Sequence, residues 1–572
     1  MVKSISCTCH ARTDFTEYLS VLSAFLFSEK GNTMRKSGIL LHISSLPSEY
    51  GIGKMGNEAY RFADFLAETR TGLWQILPLS PTSYGDSPYQ SFSAFAGNPY
   101  FIDFELLEKE GLLKKNEYTD IKWEQDKEKI DYKFLYENVD KVLRKAYSRF
   151  EITPEYRLFE MINRKWLGDY ALFMSLKFRY DGKPWYKWPE ELAMCEKNAV
   201  KKAKEELKDE IGFQKFIQFC FKKQWTALKT YANEKGIKII GDIPIYVSLD
   251  STEVWKTPEL FELDEDKKPV AVAGCPPDCF SPTGQLWGNP LYDWDYHRKT
   301  DFSWWISRIQ NAAETYDIIR IDHFRGFEGY YCIPYGNETA EVGIWKKGPG
   351  ARLFKKAEEE LGRLDIIAET LGFFTPDVQE MLDEVGYPGM KVIEFGFSDS
   401  KNDFLPHNFT DTNSYSYTGT HDNDTLVGWY KSLDKDSKKF CLDYLNVKLD
   451  TQIPEAMLRL VWSGVSDAAV AQFQDFIDAD TDCRMNIPST LSGNWTYRAH
   501  TEDFTEKLKE KILKLNTLYN RCSEPAPDED NKTEETSDKE NENGTDTDAA
   551  PQTIDERTKI NEQADISCRT EK

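Results

Sequence analysis

An arginine and an aspartate share one face of a predicted strand in the run RIDHFRG. Arg320 and Asp322 are two residues apart, and side chains alternate along a strand, so both point to the same side. Two charged groups facing into a closed sheet are costly unless they pair, and a guanidinium beside the carboxylate keeps Asp322 ionised. An ionised carboxylate in this position suits a nucleophile. The alternative is a buried ion pair with a purely structural role.

A second carboxyl group ends another predicted strand. Glu369 lies in the run AETLG, at the C-terminal end of an otherwise apolar segment. An apolar environment raises the pKa of a carboxyl group, so this side chain can hold a proton near neutral pH and donate it. Residue type and position therefore indicate a general acid.

A third acidic side chain lies in the run TGTHDNDT, after a further predicted strand. His421 and Asp422 are adjacent there, and Asp424 comes two residues later. A metal site is not favoured, because these ligands are too few and too close together in the sequence. Since Asp322, Glu369 and Asp422 end three different strands, they predict one shared site.

The elements that must position these acids are short apolar runs that alternate with amphipathic helical stretches, the pattern of parallel α/β folds. Apolar runs bounded by Gly, Pro or Asp are typical of strands covered on both faces. Eight such strands predict a (β/α)8 TIM barrel, an α/β fold whose active site lies at the C-terminal face. The predicted strands are Gly38–Ile43, Leu73–Leu79, Ile237–Val247, Ile318–Phe324, Asp365–Thr370, Met390–Phe395, Ser414–Thr420 and Arg484–Pro488.

Two connections between predicted strands are far longer than a crossover needs. Residues 80–236 come after the second strand, and apolar residues recur in this segment at three- and four-residue steps, as they do in helices. Residues 248–317 come after the third strand and are rich in Trp, Pro and Gly. We therefore expect large, mainly helical insertions after strands 2 and 3, which would overhang the C-terminal face of the barrel.

The two ends of the chain differ from its middle. Residues 1–33 share no pattern with the rest of the chain, and Met34 opens a run typical of the start of a folded domain, which makes it a candidate initiator. Residues 522–572 contain no Phe, Trp, Tyr, Leu, Val or Met, so they cannot bury enough apolar area to offset their ordering entropy. We expect an N-terminal extension (1–33), a catalytic barrel (34–520) and a disordered acidic tail (521–572). The alternative for the tail is an interaction segment.

Charge and composition limit the kind of partner. The 572 residues include 72 Lys and Arg against 96 Asp and Glu, a formal net charge of −24. Such a surface repels nucleic acid and acidic membranes, so neither is expected as a partner. Aromatic residues make up 14% of the chain, enough for a large core and for exposed ring faces. A neutral, hydroxyl-rich ligand fits both observations.

Cysteine usage and the short apolar segments indicate a cytoplasmic protein. Eleven cysteines in 572 residues are too dilute for a disulfide framework, and the run CPPDC at Cys275 lacks the second Cys or His pair of a metal site. The apolar stretch at 18–27 is too short to span a bilayer and lacks the basic start and cleavage site of a signal peptide. The run GIGKMG at Gly51 is interpreted as a tight turn rather than a dinucleotide-binding loop.

Long motifs along the chain resemble those of the 4-alpha-glucanotransferases of the amylomaltase or disproportionating-enzyme type, which are relatives of the α-amylases. The resemblance extends over residues 38–498 and implies a barrel without the C-terminal β-domain of the α-amylases. The motifs are SPYQSFSAFAGNP from 87, GDIPIYV from 241, PPDCFSPTGQLWGNP from 276, RIDHFRG from 320, AETLG from 368, TGTHDNDT from 418, RMNIPST from 484 and GNWTYR from 493.

The resemblance implies roles for the three acids. Asp322 would be the nucleophile, Glu369 the general acid and base, and Asp422 the stabiliser of the transition state. The residues implied to line the donor glucose site are Tyr89, Asp242, Arg320 and His421.

The chain departs from the family pattern at two positions. The family usually has an aromatic residue where Cys279 stands and often an acid where Thr370 stands. We expect Phe280 and Trp287 to supply the remaining ring faces for a bound sugar.

These roles predict a retaining double displacement, in which Glu369 protonates the glycosidic oxygen while Asp322 attacks the anomeric carbon. The covalent glycosyl-enzyme then passes an α-1,4-glucan segment to the 4-hydroxyl of glucose or another α-1,4-glucan. The chemistry requires no metal and no organic cofactor.

Three other functions are compatible with the same residues. A hydrolase of the same lineage would pass the segment to water. A catalytically silent glucan-binding protein would keep the site for recognition only. A scaffold protein would act through its acidic tail.

Overall fold

The structure of the chain is a computed structural model that describes residues 35–83, 85–123, 127–277, 281–372, 374–490 and 492–524. The predicted extension at 1–33 and nearly all of the predicted tail at 521–572 lie outside these residues, and so does Phe280.

Twelve strands run through the described residues, and eight of them form one closed parallel sheet. The strands are β1 (Lys36–Leu40), β2 (Leu73–Gln75), β3 (Lys238–Ile243), β4 (Ala271–Cys275), β5 (Gln285–Pro290), β6 (Ile318–Ile321), β7 (Gly329–Pro334), β8 (Ile344–Lys347), β9 (Ile366–Ala368), β10 (Gly389–Val392), β11 (Ser414–Tyr417) and β12 (Ala468–Gln472). The barrel has the order β1, β2, β3, β6, β9, β10, β11 and β12, and β12 pairs again with β1. The predicted TIM barrel is confirmed.

The barrel closes around an apolar interior to which every strand contributes at least one side chain. The members of this cluster are Leu40, Leu73, Ile240, Ile318, Ile367, Met390, Val392, Tyr415, Tyr417, Ala468 and Val470. Because successive side chains alternate between the two faces of a strand, the remaining strand residues pack outward against the helices. The continuous apolar runs in the sequence therefore reflect burial on both faces.

The prediction that residues 484–488 form the eighth strand is wrong. The eighth strand is β12, which pairs with β1 and with β11. Its sequence AAVAQ consists largely of alanine, a residue depleted in strands, and so lacks the β-branched signature of the other barrel strands. Residues 484–488 form a loop, in which Arg484 and Asn486 donate hydrogen bonds to Asp422.

Nineteen α-helices are present in the same residues. They are α1 (Asn57–Glu68), α2 (Phe104–Lys109), α3 (Asn116–Thr119), α4 (Tyr132–Tyr147), α5 (Pro154–Ile162), α6 (Leu167–Arg179), α7 (Glu190–Ala193), α8 (Lys197–Glu206), α9 (Lys208–Glu234), α10 (Thr252–Lys256), α11 (Trp294–Lys299), α12 (Ser303–Thr315), α13 (Ala351–Leu361), α14 (Pro376–Val385), α15 (Leu426–Ser432), α16 (Lys435–Leu445), α17 (Ile453–Ser463), α18 (Phe473–Phe476) and α19 (Glu506–Leu518). Within the part of the chain that the structure describes, none of these helices has the length and apolar character needed to cross a membrane.

The two long connections differ in their structure. The connection from β2 to β3 contains α2 to α9 and is helical, whereas the connection from β3 to β6 contains β4 and β5 besides three helices. β4 and β5 join β7 and β8 in a four-stranded antiparallel sheet of order β5, β4, β7, β8. The sequence analysis did not predict this sheet, because its strands are divided between two connections and β8 is mostly exposed and lacks an apolar run.

Two glutamines of α9 fix the segment that comes after Tyr89. The Gln218 amide accepts a hydrogen bond from Gly97 N (2.7 Å) and donates one to Gly97 O (2.9 Å). Gln224 makes the same pair of contacts with the backbone of Asp103. A buried amide that satisfies both backbone groups of one residue holds an irregular segment as a strand partner would. The segment is thereby anchored to the longest helix of the insertion.

Substitution of Gly241 in β3 by alanine is expected to destabilise the barrel. A β-carbon at this position would lie 2.1 Å from ring carbons of Tyr316, so the ring would have to move. We expect the free energy of unfolding to fall by about 2 kcal/mol, measured by denaturant titration. The control is Gly168→Ala in α6, where a methyl group meets no atom within 4 Å and should stabilise the helix slightly. Equal stability of the two variants would contradict the prediction.

Candidate active site

Two of the three predicted acids lie together at the C-terminal ends of neighbouring barrel strands. Asp322 comes directly after β6 and Glu369 directly after β9, and the two strands pair. His323 N donates a hydrogen bond to Glu369 Oε2 at 2.8 Å, so the residue next to Asp322 holds the carboxyl group of Glu369. The barrel therefore brings these two acids to one edge, as the sequence analysis expected.

One buried guanidinium links the acids of two strands. Asp242 of β3 and Arg320 of β6 are register partners, and Arg320 Nη1 donates to Asp242 Oδ2 at 2.5 Å and to Asp322 Oδ1 at 3.1 Å. Tyr89 contributes a further donor, since its hydroxyl lies 2.7 Å from Asp242 Oδ2. The structure thus places four of the residues implied by the resemblance in a single hydrogen-bonded network.

The network has one cation for two carboxylates. Burial lowers the pKa of Arg320, but the charges of Asp242 and Asp322 outweigh burial and raise this pKa well above its ordinary value. Asp242 Oδ1 is buried and has no hydrogen-bond partner among the described residues. An unpaired carboxylate oxygen costs free energy in a buried site unless a ligand supplies the donor. Asp242 therefore retains an unsatisfied acceptor within the network.

Glu369 and Asp322 differ in the groups that contact their oxygens. Burial raises the pKa of both carboxyl groups, and the charge of Arg320 opposes this effect in both. Glu369 accepts hydrogen bonds from two backbone amides, His323 N and Leu371 N. Only Asp322 has the guanidinium within hydrogen-bond distance. Both kinds of contact favour the ionised form of a carboxyl group, but the charged guanidinium is the stronger donor. A proton held by this pair is therefore favoured on Glu369, with the negative charge on Asp322.

The side chain of Asp422 is held by the loop at residues 484–488, which the sequence analysis had predicted to be a strand. Asn486 Nδ2 donates to Asp422 Oδ1 at 2.6 Å, and Arg484 Nη2 donates to the backbone carbonyl of Asp422. The carboxylate itself is about half exposed, with a side-chain exposure of 47%. It therefore faces the cleft from a fixed position. The run RMNIPST did not reveal this role of Arg484 and Asn486, because its pattern predicts a strand.

His421 is an uncharged partner of Tyr89. Its ring stacks on the Tyr89 ring with centroids 5.0 Å apart and an interplanar angle of 14°. Burial lowers the pKa of His421, although the charge of Asp422 opposes this effect. A neutral imidazole here can donate or accept a hydrogen bond from a sugar hydroxyl.

His323 is a site residue that the sequence analysis did not single out. Its backbone is left-handed (φ 48°), an uncommon conformation for a residue other than glycine. Burial lowers the pKa of its imidazole to about 3, so the ring is neutral. The ring meets the edge of Trp287 at 4.8 Å between centroids. The run RIDHFRG placed this residue beside Asp322, but its backbone conformation depends on the tertiary contact with Glu369.

Trp287 of β5 lies beside His323 and Tyr246. The strand is held there by Gln90, whose Nε2 donates to Asn289 Oδ1 at 3.1 Å. Asn289 in turn donates to the backbone carbonyl of Val247. Phe280, the other aromatic residue predicted to supply a ring face, lies outside the described residues.

The cleft contains carboxyl groups and other side chains that can form hydrogen bonds. Among the residues the structure describes, no group of three or more His, Cys, Asp or Glu side chains is arranged to hold a metal ion. Six cysteines of the described part of the chain are free thiols: Cys195, Cys220, Cys332, Cys441, Cys483 and Cys522. Taken together, the carboxyl pair, the buried guanidinium and the aromatic surfaces can bind a sugar and transfer a proton to its leaving oxygen.

Comparison with known sequences supports this interpretation. The sequence profile of the 4-alpha-glucanotransferase family matches residues 41–504. A 4-alpha-glucanotransferase of Clostridium butyricum is 47% identical over 487 residues, which cover 84% of this chain and 100% of the relative. One of Thermus thermophilus is 46% identical and covers 81% of this chain and 94% of the relative.

Comparison with solved structures agrees. The amylomaltase from Streptococcus agalactiae in complex with acarbose matches with a TM-score of 0.83 and 46% identity, covering 85% of this chain and 100% of that one. The amylomaltase from Corynebacterium glutamicum shares the fold at 17% identity, with a TM-score of 0.69 over 88% of this chain and 77% of that one. On the profile match and the identity of these relatives, the chain belongs to the 4-alpha-glucanotransferase family.

Proposed function

We propose that the chain transfers a segment of an α-1,4-glucan to the 4-hydroxyl of glucose or another α-1,4-glucan. The observation that carries the proposal is that Asp322, Glu369 and Arg320 occupy one cleft at the C-terminal face of the barrel, in a chain of this family. Asp422 faces the same cleft from the loop after β11.

The donor glucose is bound by Asp422, which is half exposed, together with the buried polar residues next to it. Asp242 Oδ1 accepts a hydrogen bond from a sugar hydroxyl, because it has no partner in the described residues. Arg320 holds the other oxygen of Asp242 and prevents the carboxylate from rotating. His421 and Asp422 bind hydroxyls on the opposite edge of the ring, and the stacked Tyr89 ring supports His421. The hydrogen bonds to Asp422 strengthen as the ring flattens toward an oxocarbenium ion.

The first half-reaction uses the unequal environments of the two central acids. Glu369 donates its proton to the glycosidic oxygen, and the leaving glucan departs as an alcohol. Asp322 attacks the anomeric carbon, so that its carboxylate oxygen forms the new bond as the glycosidic bond breaks. The charge of Arg320 keeps this carboxylate available before the attack.

The second half-reaction reverses these roles. Glu369, now ionised, removes the proton from the 4-hydroxyl of the acceptor, which attacks the anomeric carbon and releases Asp322. Two inversions at one carbon retain the α configuration. The backbone donors His323 N and Leu371 N stabilise the ionised form of Glu369 during this interval.

The glycosyl-enzyme reacts with a sugar rather than with water when an acceptor glucan occupies the acceptor side of the cleft. The ring of Trp287 offers an apolar face next to His323, and a sugar stacked there displaces water from the path to the anomeric carbon. Gln90 and Asn289 keep β5 in place for this contact. A cytoplasmic location also remains part of the proposal, supported by the free cysteines of the described residues.

Maltotriose as the only substrate separates transfer from hydrolysis. We expect glucose together with oligosaccharides longer than maltotriose, because the maltosyl segment passes to a second maltotriose molecule. The products are resolved by anion-exchange chromatography with retention of the α configuration checked by NMR. Formation of shorter sugars alone would show that the chain is a hydrolase, and an absence of turnover would favour a binding protein.

Substitutions of the two central acids should have different signatures. Asp322→Asn is expected to reduce turnover at least a thousandfold, roughly 4 kcal/mol of transition-state stabilisation. Glu369→Gln should be impaired to a similar degree with maltotriose but should still react with an α-maltosyl fluoride, because fluoride leaves without a proton. That reaction should add one maltosyl group to Asp322, detectable by mass spectrometry.

The matched control for these variants is Asp383→Asn on the exposed face of α14, which should leave turnover unchanged. If Asp322→Asn retained activity comparable to this control, Asp322 would not be the nucleophile.

The charge of Arg320 should be visible in the pH dependence of kcat/KM. This charge lowers the pKa of Asp322 and of Glu369, so Arg320→Gln should raise both values. We expect the acidic and the alkaline limb of the profile to move to higher pH by about one unit, besides a loss of activity. Arg352→Gln, on the exposed face of α13, removes the same charge outside the cleft and should leave both limbs in place. Unmoved limbs in Arg320→Gln would contradict the prediction.

A further inference from the structure

Both ends of the loop that carries His421 and Asp422 are held by one buried aspartate. We call residues 418–426 the catalytic loop. Asp475 of α18 accepts a hydrogen bond from Thr418 Oγ1 at 2.6 Å with one carboxylate oxygen, and from Leu426 N at 2.9 Å with the other. Asp475 is 1% exposed. A single side chain therefore ties the first residue of the catalytic loop to its last.

A second buried acid lies beneath the middle of the same loop. Glu394 comes shortly after β10 and is 5% exposed, and neither of its carboxyl oxygens has a hydrogen-bond partner among the described residues. A β-carbon on Gly419 would lie 3.0 Å from Glu394 Oε1 and 2.9 Å from the β-carbon of Asn423. The glycine thus leaves room for the carboxyl group to pack against the loop backbone.

The charges that face Glu394 come from three directions. Asp475 of α18 and Asp424 of the catalytic loop are negative, and Arg484 from the loop after α18 is positive. Arg484 is already engaged, because its guanidinium donates to Asp422 O at 2.5 Å and lies 3.9 Å from Asp424. Asp478 adds a further negative charge near Asp475. The surroundings of Glu394 therefore disfavour a second buried negative charge.

The hydrogen bonds decide which of the two buried acids carries the charge. Asp475 has a donor on each oxygen, which stabilises a carboxylate. Neither oxygen of Glu394 has a donor in hydrogen-bond geometry among the described residues, and only the Asn423 amide lies nearby. Burial raises the pKa of Asp475, and the hydrogen bonds from Thr418 and Leu426 N oppose this shift. Burial and the charge of Asp475 raise the pKa of Glu394 well above its ordinary value, and Arg484 and the nearby Asn423 amide oppose this shift without cancelling it. The hydrogen bonds and the electrostatics therefore agree that the negative charge is favoured on Asp475 and the proton on Glu394.

We propose that Glu394 and Asp475 are positioning residues that together hold one proton beneath the catalytic loop. Asp475, ionised, clamps the two ends of the loop, and Glu394, protonated, fills the space under Gly419 without adding charge. The pair acts on the reaction through Asp422 and His421, which it keeps in place. This role rests on the proposed glucan transfer, whereas the protonation of Glu394 does not.

The protonation of Glu394 is tested by thermal unfolding of Glu394→Gln across pH. Above the ordinary pKa of glutamic acid, about 4.3, and below the raised value, the folded protein holds one more proton than the unfolded chain, so its stability falls as pH rises. Glutamine has the shape of the protonated acid and no such dependence. The unfolding temperature of the variant should therefore rise relative to that of the parent protein by roughly 1–2 °C for each unit of pH between pH 5 and 8.

A difference in unfolding temperature that does not change with pH would show that Glu394 is charged in the folded protein and would overturn the proposal. Because no substrate is used, this measurement decides the protonation state even if the chain proved not to transfer glucans.

The positioning role is tested by kinetics with maltotriose. Asp475→Asn can accept only one of the two hydrogen bonds, and we expect kcat to fall at least tenfold while KM changes less than threefold, as for a group that acts in the transition state. Glu394→Ala should show a loss of the same kind, and Glu394→Gln should restore most of the activity at neutral pH. The matched control is Asp478→Asn, whose side chain is 58% exposed and which should behave as the parent protein.

Circular dichroism and the unfolding temperature confirm that each variant is folded before its kinetics are compared. If Glu394→Ala does not fold, the comparison of Asp475→Asn with Asp478→Asn carries the test alone. An Asp475→Asn variant with the kcat of the control, or a Glu394→Gln variant as impaired as Glu394→Ala, would overturn the positioning role.

Discussion

The arrangement of this site depends on one buried guanidinium between two carboxylates. Arg320 lies inside the barrel, where an unpaired charge would cost several kcal/mol. Asp242 lies on β3 opposite Arg320 of β6, and Asp322 follows the end of β6. The parallel register of these strands therefore makes the pairing possible. Because the guanidinium contacts Asp322 and not Glu369, the negative charge is favoured on Asp322 and the proton on Glu369. The proposed division of roles between acid and nucleophile results from this contact.

Buried polar side chains hold the loops around the barrel mouth in addition to apolar packing. Gln218 and Gln224 form hydrogen bonds with the backbone of the segment that follows Tyr89 in the chain. Asn289 holds β5, and Asp475 joins both ends of the loop that carries Asp422. Loops cannot satisfy their backbone groups with strand partners, so such side chains replace the missing ladder. Each contact also makes the position of a cleft residue depend on an element distant in sequence. The precision of the site is therefore a property of the insertions as much as of the barrel.

The sequence analysis predicted the elements whose signal is local. Apolar runs bounded by Gly, Pro or Asp identified seven barrel strands, since strands buried on both faces need such runs. The alanine-rich β12 was not predicted, because its small buried side chains lack the β-branched apolar run that identified the other strands. The antiparallel sheet of β4, β5, β7 and β8 was missed for a related reason. Its strands lie in two connections that β6 separates in the chain, and they pair only in the tertiary structure.

By itself the sequence determined the barrel, the residue types of the site and the family, because alternation along strands and long motifs are local properties. The tertiary structure decided which groups meet. Asn486, predicted to lie on a strand, lies in a loop and donates a hydrogen bond to Asp422. His323 has a left-handed backbone, and its N–H binds Glu369. Glu394 is buried, and its oxygens have no hydrogen-bond partner among the described residues. Contacts of this kind join residues far apart in the chain, and their energies depend on burial and on which donors are already used. Neither quantity can be read from the order of the residues.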